Sequence, residues 1–155
     1  MKFNNKSAEV FVPDGKSFDE ALKRTTHMAI SAHQDDIEIM AYDGVLQCFG
    51  KDDKWFSAVV ITNGAGSPRD DLYENYTDDQ MQTIRRLEQK KAAYVGEYSS
   101  LTLLDYPSKT AKGQDENTGK LIEDLKSLIS EAKPEIIYTH NLADKHDTHV
   151  AAVKR

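Results

Sequence analysis

A nearly continuous apolar run from Trp55 to Ile61 constrains the fold of this 155-residue chain more than any other segment. A strand that is apolar on both faces is typical of a parallel sheet covered by helices on both sides. Three further apolar runs, at 27–32, 101–104 and 136–139, alternate with segments of helical periodicity. This alternation predicts an α/β fold: a Rossmann-like three-layer sandwich with a mostly parallel sheet and right-handed crossovers.

Several local signals predict where helices begin and which faces they bury. Residues 17–20 and 77–80 have the form of capping boxes, which mark helix starts. The apolar spacing after residue 37 predicts one helix that ends near Gly50. The long helix predicted after residue 77 runs towards Gly96, with Ile84, Leu87, Lys91 and Tyr94 at helical spacing. We also expect an edge strand near residues 10–12 and a polar loop over 105–118.

Length and composition predict one domain over residues 1–155 and exclude some partners. The net charge is −6, from 20 basic and 26 acidic residues without a Lys/Arg cluster, which argues against nucleic acid and anionic membranes. No apolar stretch reaches the roughly 18–20 residues of a membrane span, so we expect none. The N-terminus lacks the apolar segment of a signal peptide, so we expect a cytoplasmic location. Homo-oligomerisation stays open.

The pattern stops at Arg155, barely two turns into the last predicted helix. We therefore expect a fold truncated at its C-terminal end: either the chain is a fragment, or the domain is short there.

Two polar clusters follow the first and fourth predicted strands. The first covers residues 33–36, and the second runs from His140 to His149 with three of the five histidines. In the common strand order 3-2-1-4 these two strands are neighbours, and ligands bind where the order reverses, at the carboxyl ends of the strands. We therefore expect the two clusters to form one site.

The residue types of the clusters fit a catalytic zinc site, which takes three protein ligands from His and Asp or Glu. His33, Asp36 and His149 are the candidate ligands, and Fe²⁺ would fit the same donors. Asp35 is the candidate general base. His146 would donate a hydrogen bond to a developing oxyanion or protonate a leaving group. A loop that only caps the next helix, with Asp36 as N-cap, would explain the first cluster without chemistry.

Three segments then resemble a known family. Residues 32–38, Ala-His-Gln-Asp-Asp-Ile-Glu, resemble the Ala-His-Pro-Asp-Asp-x-Glu signature of the PIG-L/LmbE-like zinc-dependent N-acetyl-sugar deacetylases. Residues 146–149, His-Asp-Thr-His, are similar to that family's His-Pro-Asp-His signature, and residues 85–88 to its Arg-x-x-Glu helix. The resemblance runs from about residue 28 to residue 155.

The resemblance implies a hydrolase that removes an acetyl group from an N-acetylated amino sugar or glycoconjugate. It implies the same zinc ligands, with Asp35 as base and His146 as acid or carbonyl-polarising group. Arg85 would contact substrate or brace the site. Asn63 and Arg69, in the loop after the second strand, are candidate sugar contacts.

Two departures from the family pattern affect the predicted site. Gln34 stands where the family has proline, and the carboxylate expected next to His149 is missing. Asp144 or Asp147 would then orient a histidine instead. Two other functions stay open: a non-catalytic metal- or sugar-binding protein on the same scaffold, and a metallo-hydrolase of another amide or an ester.

Overall fold

A computed structural model describes residues 1–155, which form five strands and seven α-helices. The strands are β1 (Glu9–Phe11), β2 (His27–Ser31), β3 (Phe56–Thr62), β4 (Ser100–Tyr106) and β5 (Ile136–Tyr138). The helices are α1 (Phe18–Lys23), α2 (Asp36–Met40), α3 (Tyr42–Cys48), α4 (Asp78–Val95), α5 (Ser108–Ala111), α6 (Thr118–Ala132) and α7 (Asp147–Val153). A short 3₁₀ helix covers Asp71–Tyr73. None of the helices combines the length and the apolar character needed to cross a membrane.

The strands form one sheet in the order β1-β4-β3-β2-β5. Strands β2 to β5 are parallel to their neighbours, and β1 joins β4 as an antiparallel edge strand. The predicted parallel α/β fold, its strand order and the N-terminal edge strand are confirmed. The order reverses between β2 and β5, so the segments after these two strands begin side by side.

Helices cover both faces of the sheet and produce two apolar cores. Every residue of β3 is buried, as its apolar run predicted. Val59 and Ile61 face a core completed by α1, α5, α6 and α7, whereas Ala58 and Val60 face one completed by α2, α3 and α4. This alternation of neighbouring side chains is the geometry of a strand between two helical layers.

Both predicted capping boxes are present, but other helix details differ from the prediction. Ser17 and Thr77 cap α1 and α4, each with a reciprocal bond from the third helical residue. The single helix expected from residue 37 to Gly50 is broken at Ala41, whose φ of −119° lies outside the helical region. The segment expected as a loop over 105–118 instead contains the end of β4 and the short α5.

The residues named from the sequence along α4 do not form its buried face. Leu87 and Tyr94 are 59% and 66% exposed, whereas Met81, Gln89 and Ala93 are buried. The inner face is partly polar because this helix directs side chains towards the carboxyl ends of the strands. The helical spacing of Leu87 and Tyr94 therefore marks the face of α4 that is exposed to solvent.

Strand β5 is the open edge of the sheet. It pairs only with β2, over three residues. Ile136 and Ile137 are 40% and 43% exposed, unlike the buried residues of β2 and β3.

A pair of leucine substitutions tests these core assignments. Leu121 is fully buried in α6, so Leu121→Ala should lower the free energy of unfolding by about 2–5 kcal/mol through lost contacts and a cavity. Leu87→Ala, on the exposed face of α4, should change it by no more than about 0.5 kcal/mol. Urea denaturation of both variants measures the difference, and equal losses would contradict the assigned faces.

Candidate metal centre

The carboxyl ends of the parallel strands open into a polar cavity of about 360 Å³. The segments after β2, β3, β4 and β5 all contribute to its walls, and none of its fourteen lining residues has a large apolar side chain. Its lining includes His33, Gln34, Asp35, Asp36, Thr62, Gly64, Arg85, Ser108, Lys112 and His146.

The two polar clusters meet at this cavity, as their positions after neighbouring strands predicted. His33 Nδ1 lies 3.2 Å from His149 Nε2 and 3.3 Å from Asp36 Oδ2. His149 Nε2 lies 3.4 Å from Asp36 Oδ1. The three predicted ligands are therefore neighbours in pairs, although His149 lies more than a hundred residues after His33 and Asp36 in the sequence.

These distances are close to those between ligand atoms around a tetrahedral cation. With metal–ligand bonds of about 2.0–2.1 Å, two ligand atoms of a tetrahedral zinc site lie about 3.3–3.4 Å apart. The observed separations of 3.2, 3.3 and 3.4 Å are of this size, but Asp36 contacts His33 through Oδ2 and His149 through Oδ1, so the three distances do not belong to a single set of three ligand atoms. The donor set of two imidazole nitrogens and one carboxylate is also one that zinc and iron accept.

Asp36 is turned towards the histidines and does not cap the helix. The N-cap of α2 is Asp35, so the alternative of Asp36 as N-cap is wrong. His33 N–H donates to Asp36 Oδ2 at 2.7 Å. Burial raises the pKa of Asp36, but the imidazoles of His140 and His33 and this N–H lower it by more, which keeps the pKa well below its ordinary value.

His140 and His146 complete the imidazole cluster but differ from the three predicted ligands. His33, His146 and His149 form one possible ligand group, and Asp36, His140 and His149 form another. Ala32 N–H donates to His140 Nε2 at 2.9 Å, and the same nitrogen lies 3.4 Å from Asp36 Oδ2. His140 is therefore a histidine satisfied by the backbone, which favours His33 over it as a ligand.

Asp144 supplies the carboxylate that the second signature lacks. Its Oδ2 lies 3.0 Å from His149 Nδ1, and its Oδ1 accepts the His146 N–H at 2.8 Å. These two contacts, the His146 N–H first, hold the pKa of Asp144 below its ordinary value. A carboxylate on the far nitrogen fixes the tautomer and ring direction of a metal-binding histidine. Of the two predicted candidates, Asp144 and not Asp147 makes this contact.

Asp35 lines the cavity in an unusual backbone conformation. Its φ of +71° lies in the left-handed region, which is uncommon for a residue with a Cβ and often marks functional sites. The carboxylate is 63% exposed, and Arg85 Nη2 donates to its Oδ2 at 2.7 Å. The same nitrogen donates to Gln34 O at 2.9 Å, and Arg85 Nη1 pairs with Glu88. Arg85 therefore braces the candidate base, one of its two predicted roles.

Buried polar contacts hold the backbone of Asp35. Gln89 Oε1 accepts the Asp35 N–H at 2.8 Å, and Gln89 Nε2 donates to Glu38 Oε1 at 2.8 Å. Tyr98 Oη donates to the same oxygen at 2.7 Å. Burial raises the pKa of Glu38 despite these donors. The sequence reading missed Gln89, although its position one helical turn after Arg85 puts both residues on one face of α4.

Removing the Gln89 amide should lower the stability of the folded protein. Gln89→Met keeps the side-chain size but leaves the Asp35 N–H and the Glu38 carboxylate short of a partner, so the free energy of unfolding should fall by about 1–3 kcal/mol. Gln82→Met, the same change on the same helix without such contacts, should stay within about 0.5 kcal/mol. Thermal and urea unfolding of the two variants compare them, and matching stabilities would contradict a supporting role for Gln89.

His146 lies beside the converging ligand atoms and lines the cavity. Its ring centroid is 4.9 Å from that of His33 and 4.3 Å from that of His149. Burial, then the neighbouring His149 and His33, lowers the pKa of His146. A neutral imidazole with one N–H can donate a hydrogen bond into the cavity.

The other two predicted substrate contacts do not line this cavity. Asn63 Oδ1 accepts the Ala65 N–H at 3.1 Å. Arg69 donates to the carbonyls of Ala65 and Ser67 and pairs with Asp78. Both side chains thus hold the loop after β3 in shape, and their contact with substrate stays a prediction.

Gln34, which replaces the family's proline, is 1% exposed and ties the site to the end of β3. Its Nε2 donates to Thr62 O at 3.0 Å, and its Oε1 has no partner within the protein. Gly64 lies against it with φ +77°, and a Cβ there would be 2.8 Å from Gln34 Oε1. The loop can therefore approach this closely only with glycine at position 64.

Known proteins share this architecture. The N,N′-diacetylchitobiose deacetylase from Pyrococcus horikoshii superposes with a TM-score of 0.67 at 15% identity, covering 90% of this chain and 51% of that one. GalB, the 4-carboxy-2-hydroxymuconate hydratase from Pseudomonas putida KT2440, gives 0.63 at 18% identity, covering 84% and 53%. The A40926 pseudoaglycone deacetylase Dbv21 gives 0.61 at 18% identity, covering 84% and 56%. The chain spans about half the length of these proteins, and the likeness establishes the fold.

Sequence comparison identifies the family. Curated protein sequences give no match. The family model described as "PIG-L: GlcNAc-PI de-N-acetylase" matches residues 28–154, the same region as the resemblance found from the two signatures. Because that match covers well over half of the chain, this protein belongs to the PIG-L family.

Proposed function

We propose that this chain is a metal-dependent hydrolase that removes the acetyl group from an N-acetylated amino sugar or glycoconjugate. The observation that carries the proposal is the convergence of His33, Asp36 and His149 beside the exposed carboxylate of Asp35. Family membership supports the same reaction. A cavity without large apolar side chains suits a sugar better than a lipid or an aromatic acid.

His33, Asp36 and His149 would hold the cation, Zn²⁺ or Fe²⁺, with Asp144 orienting His149. A cation bound there would activate water and polarise the amide carbonyl. His140 supports the site from the β5 side through its bond to Ala32 N–H.

The remaining steps belong to side chains of this cavity. Asp35 accepts a proton from the attacking water at its carboxylate, which Arg85 keeps oriented from one side. His146 donates a hydrogen bond to the carbonyl oxygen as negative charge develops on it. The amide C–N bond then breaks, and the proton held by Asp35 passes to the departing amine. The products are acetate and the free amino sugar.

Metal analysis combined with acetate release tests the proposal. The purified chain, loaded with Zn²⁺ or Fe²⁺, should bind about one cation, as a single three-ligand site predicts, and release acetate from N-acetylglucosamine or a simple glycoside of it. A chelator should abolish acetate release, and the added cation should restore it.

Two other outcomes would contradict the proposal in different ways. Tight sugar binding by the metal-loaded chain without acetate release would indicate a non-catalytic binding protein. Hydrolysis restricted to esters or to unrelated amides would keep the metal chemistry but reject the substrate class.

A further inference from the structure

A second cavity adjoins the polar one, and the proposed reaction does not use it. This annex has a volume of about 420 Å³ and shares Asp35, Ser67, Pro68 and Arg85 with the polar cavity. Because Asp35 lines both, a group attached to a substrate whose amide reaches this carboxylate has access to the annex.

One wall of the annex is apolar, unlike the cavity beside it. It is formed by Leu72, Tyr73 and Met81 together with Pro68. Met81 is 2% exposed and belongs to the wall, whereas Leu72 is 85% exposed and has no apolar cover. An exposed leucine at the mouth of a cavity gains most from a ligand that removes its surface from water.

The annex is tied to the candidate base by a chain of polar contacts. Tyr73 Oη donates to Glu88 at 3.1 Å, Glu88 pairs with Arg85, and Arg85 donates to Asp35 at 2.7 Å. Tyr73, next to Leu72 in the sequence, is therefore linked by hydrogen bonds and ion pairs to the Asp35 carboxylate. Such a link suits a subsite that aligns a substrate.

The charge of the annex limits what it can accept. Asp70 and Asp71 line it and form no ion pair, and Asp35 adds a third carboxylate. Arg85 is its only cationic lining residue and is already paired with Asp35 and Glu88. A phosphate placed here would meet carboxylates without a free cation to compensate for them.

We propose that the annex is the subsite for an uncharged apolar group attached to the amino sugar, and that it discriminates against phosphate-linked conjugates. The proposal rests on the proposed function for the identity of the sugar. It adds a substrate class, the apolar glycoside, and assigns Leu72 as the contact for the aglycone and Asp70 and Asp71 as the groups that exclude anions.

Calorimetric binding to the metal-loaded chain tests the annex without requiring turnover. The ligands are N-acetylglucosamine, its phenyl glycoside and N-acetylglucosamine 1-phosphate. Leu72→Ala should weaken binding of the phenyl glycoside by about 5–10-fold and leave the free sugar within about 2-fold. Asp70→Asn combined with Asp71→Asn should strengthen binding of the 1-phosphate by about 3–10-fold.

Leu87→Ala is the matched control, because Leu87 is also exposed but lies on the outer face of α4. It should leave the affinities of all three ligands unchanged. An equal effect of Leu72→Ala on the free sugar and the phenyl glycoside would overturn the proposal. So would a 1-phosphate that binds the unaltered chain as well as the phenyl glycoside does.

Acetate release from the same three compounds separates this proposal from the proposed function. Binding that depends on the aglycone, without acetate release, would support the proposed annex subsite and contradict the proposed hydrolase activity. Acetate release that is indifferent to the aglycone and to Leu72→Ala would retain the hydrolase and reject the annex.

Discussion

Asp35→Asn should leave the metal content of the protein unchanged and lower kcat for deacetylation by at least ~10²-fold, the range expected for removal of a general base. Asparagine has the same size and can still accept the hydrogen bond from Arg85, but it cannot take a proton from water. The Asp35 carboxylate pairs with Arg85 and forms no hydrogen bond or ion pair with His33 or His149, so the ligand atoms should stay in place. Acetate release and metal analysis on one preparation measure both effects.

Asp43→Asn provides the matched control for this substitution. Asp43 lies on α3 and outside the cavity, where its carboxylate accepts a hydrogen bond from Gln47. Its variant should retain full activity and metal. Full activity in Asp35→Asn would remove Asp35 from its role, whereas a parallel loss of metal would mean that the substitution disturbs the ligands.

His149→Ala should lower metal affinity by more than the ~10–100-fold that follows loss of an outer-shell partner. Its Nε2 contacts both His33 and Asp36, so its removal opens one corner of the ligand triangle. The variant should also lose acetate release. Elemental analysis after gel filtration, followed by calorimetric titration with Zn²⁺, measures the change.

Two further variants make the assignment of ligands specific. Asp144→Asn should cost ~10–100-fold in metal affinity, because it weakens the partner of His149 Nδ1. His146→Ala should lose activity but keep its metal. Unchanged metal in His149→Ala would contradict the assignment of His149 as a ligand. Equal metal loss in His146→Ala would favour the alternative group of His33, His146 and His149.

Much of the fold could be predicted because its determinants are local. The apolar run of β3 indicates burial on both faces, and the boxes at Ser17 and Thr77 mark helix starts within a few residues. The buried face of α4 was not predicted, because Gln89 is buried in polar contacts that apolar periodicity does not register. The apolar spacing after residue 37 also does not predict the break between α2 and α3 at Ala41.

The convergence of the candidate ligands was predictable because it follows from topology. Adjacent parallel strands end at the same edge of a sheet, so residues after β2 and β5 had to meet there. Ser108 and Lys112 were not predicted as part of the cavity, because their segment carries no motif and its place depends on how α5 packs. Selecting Asp144 over Asp147 likewise required the path of the loop before α7.

Within residues 1–155 the edge of β5 is unpaired, which has a consequence for how a protein made of these residues behaves at high concentration. Unpaired strand edges offer N–H and C=O groups to any extended peptide, and Ile136 and Ile137 add apolar surface there. We expect concentration-dependent self-association through this edge, detectable by light scattering, and Ile137→Lys should suppress it. Because His140 follows β5 by only two residues, an added strand would lie beside the loop that carries Asp144, His146 and His149. Self-association at high protein concentration would then affect metal binding at this site, and metal binding would affect self-association.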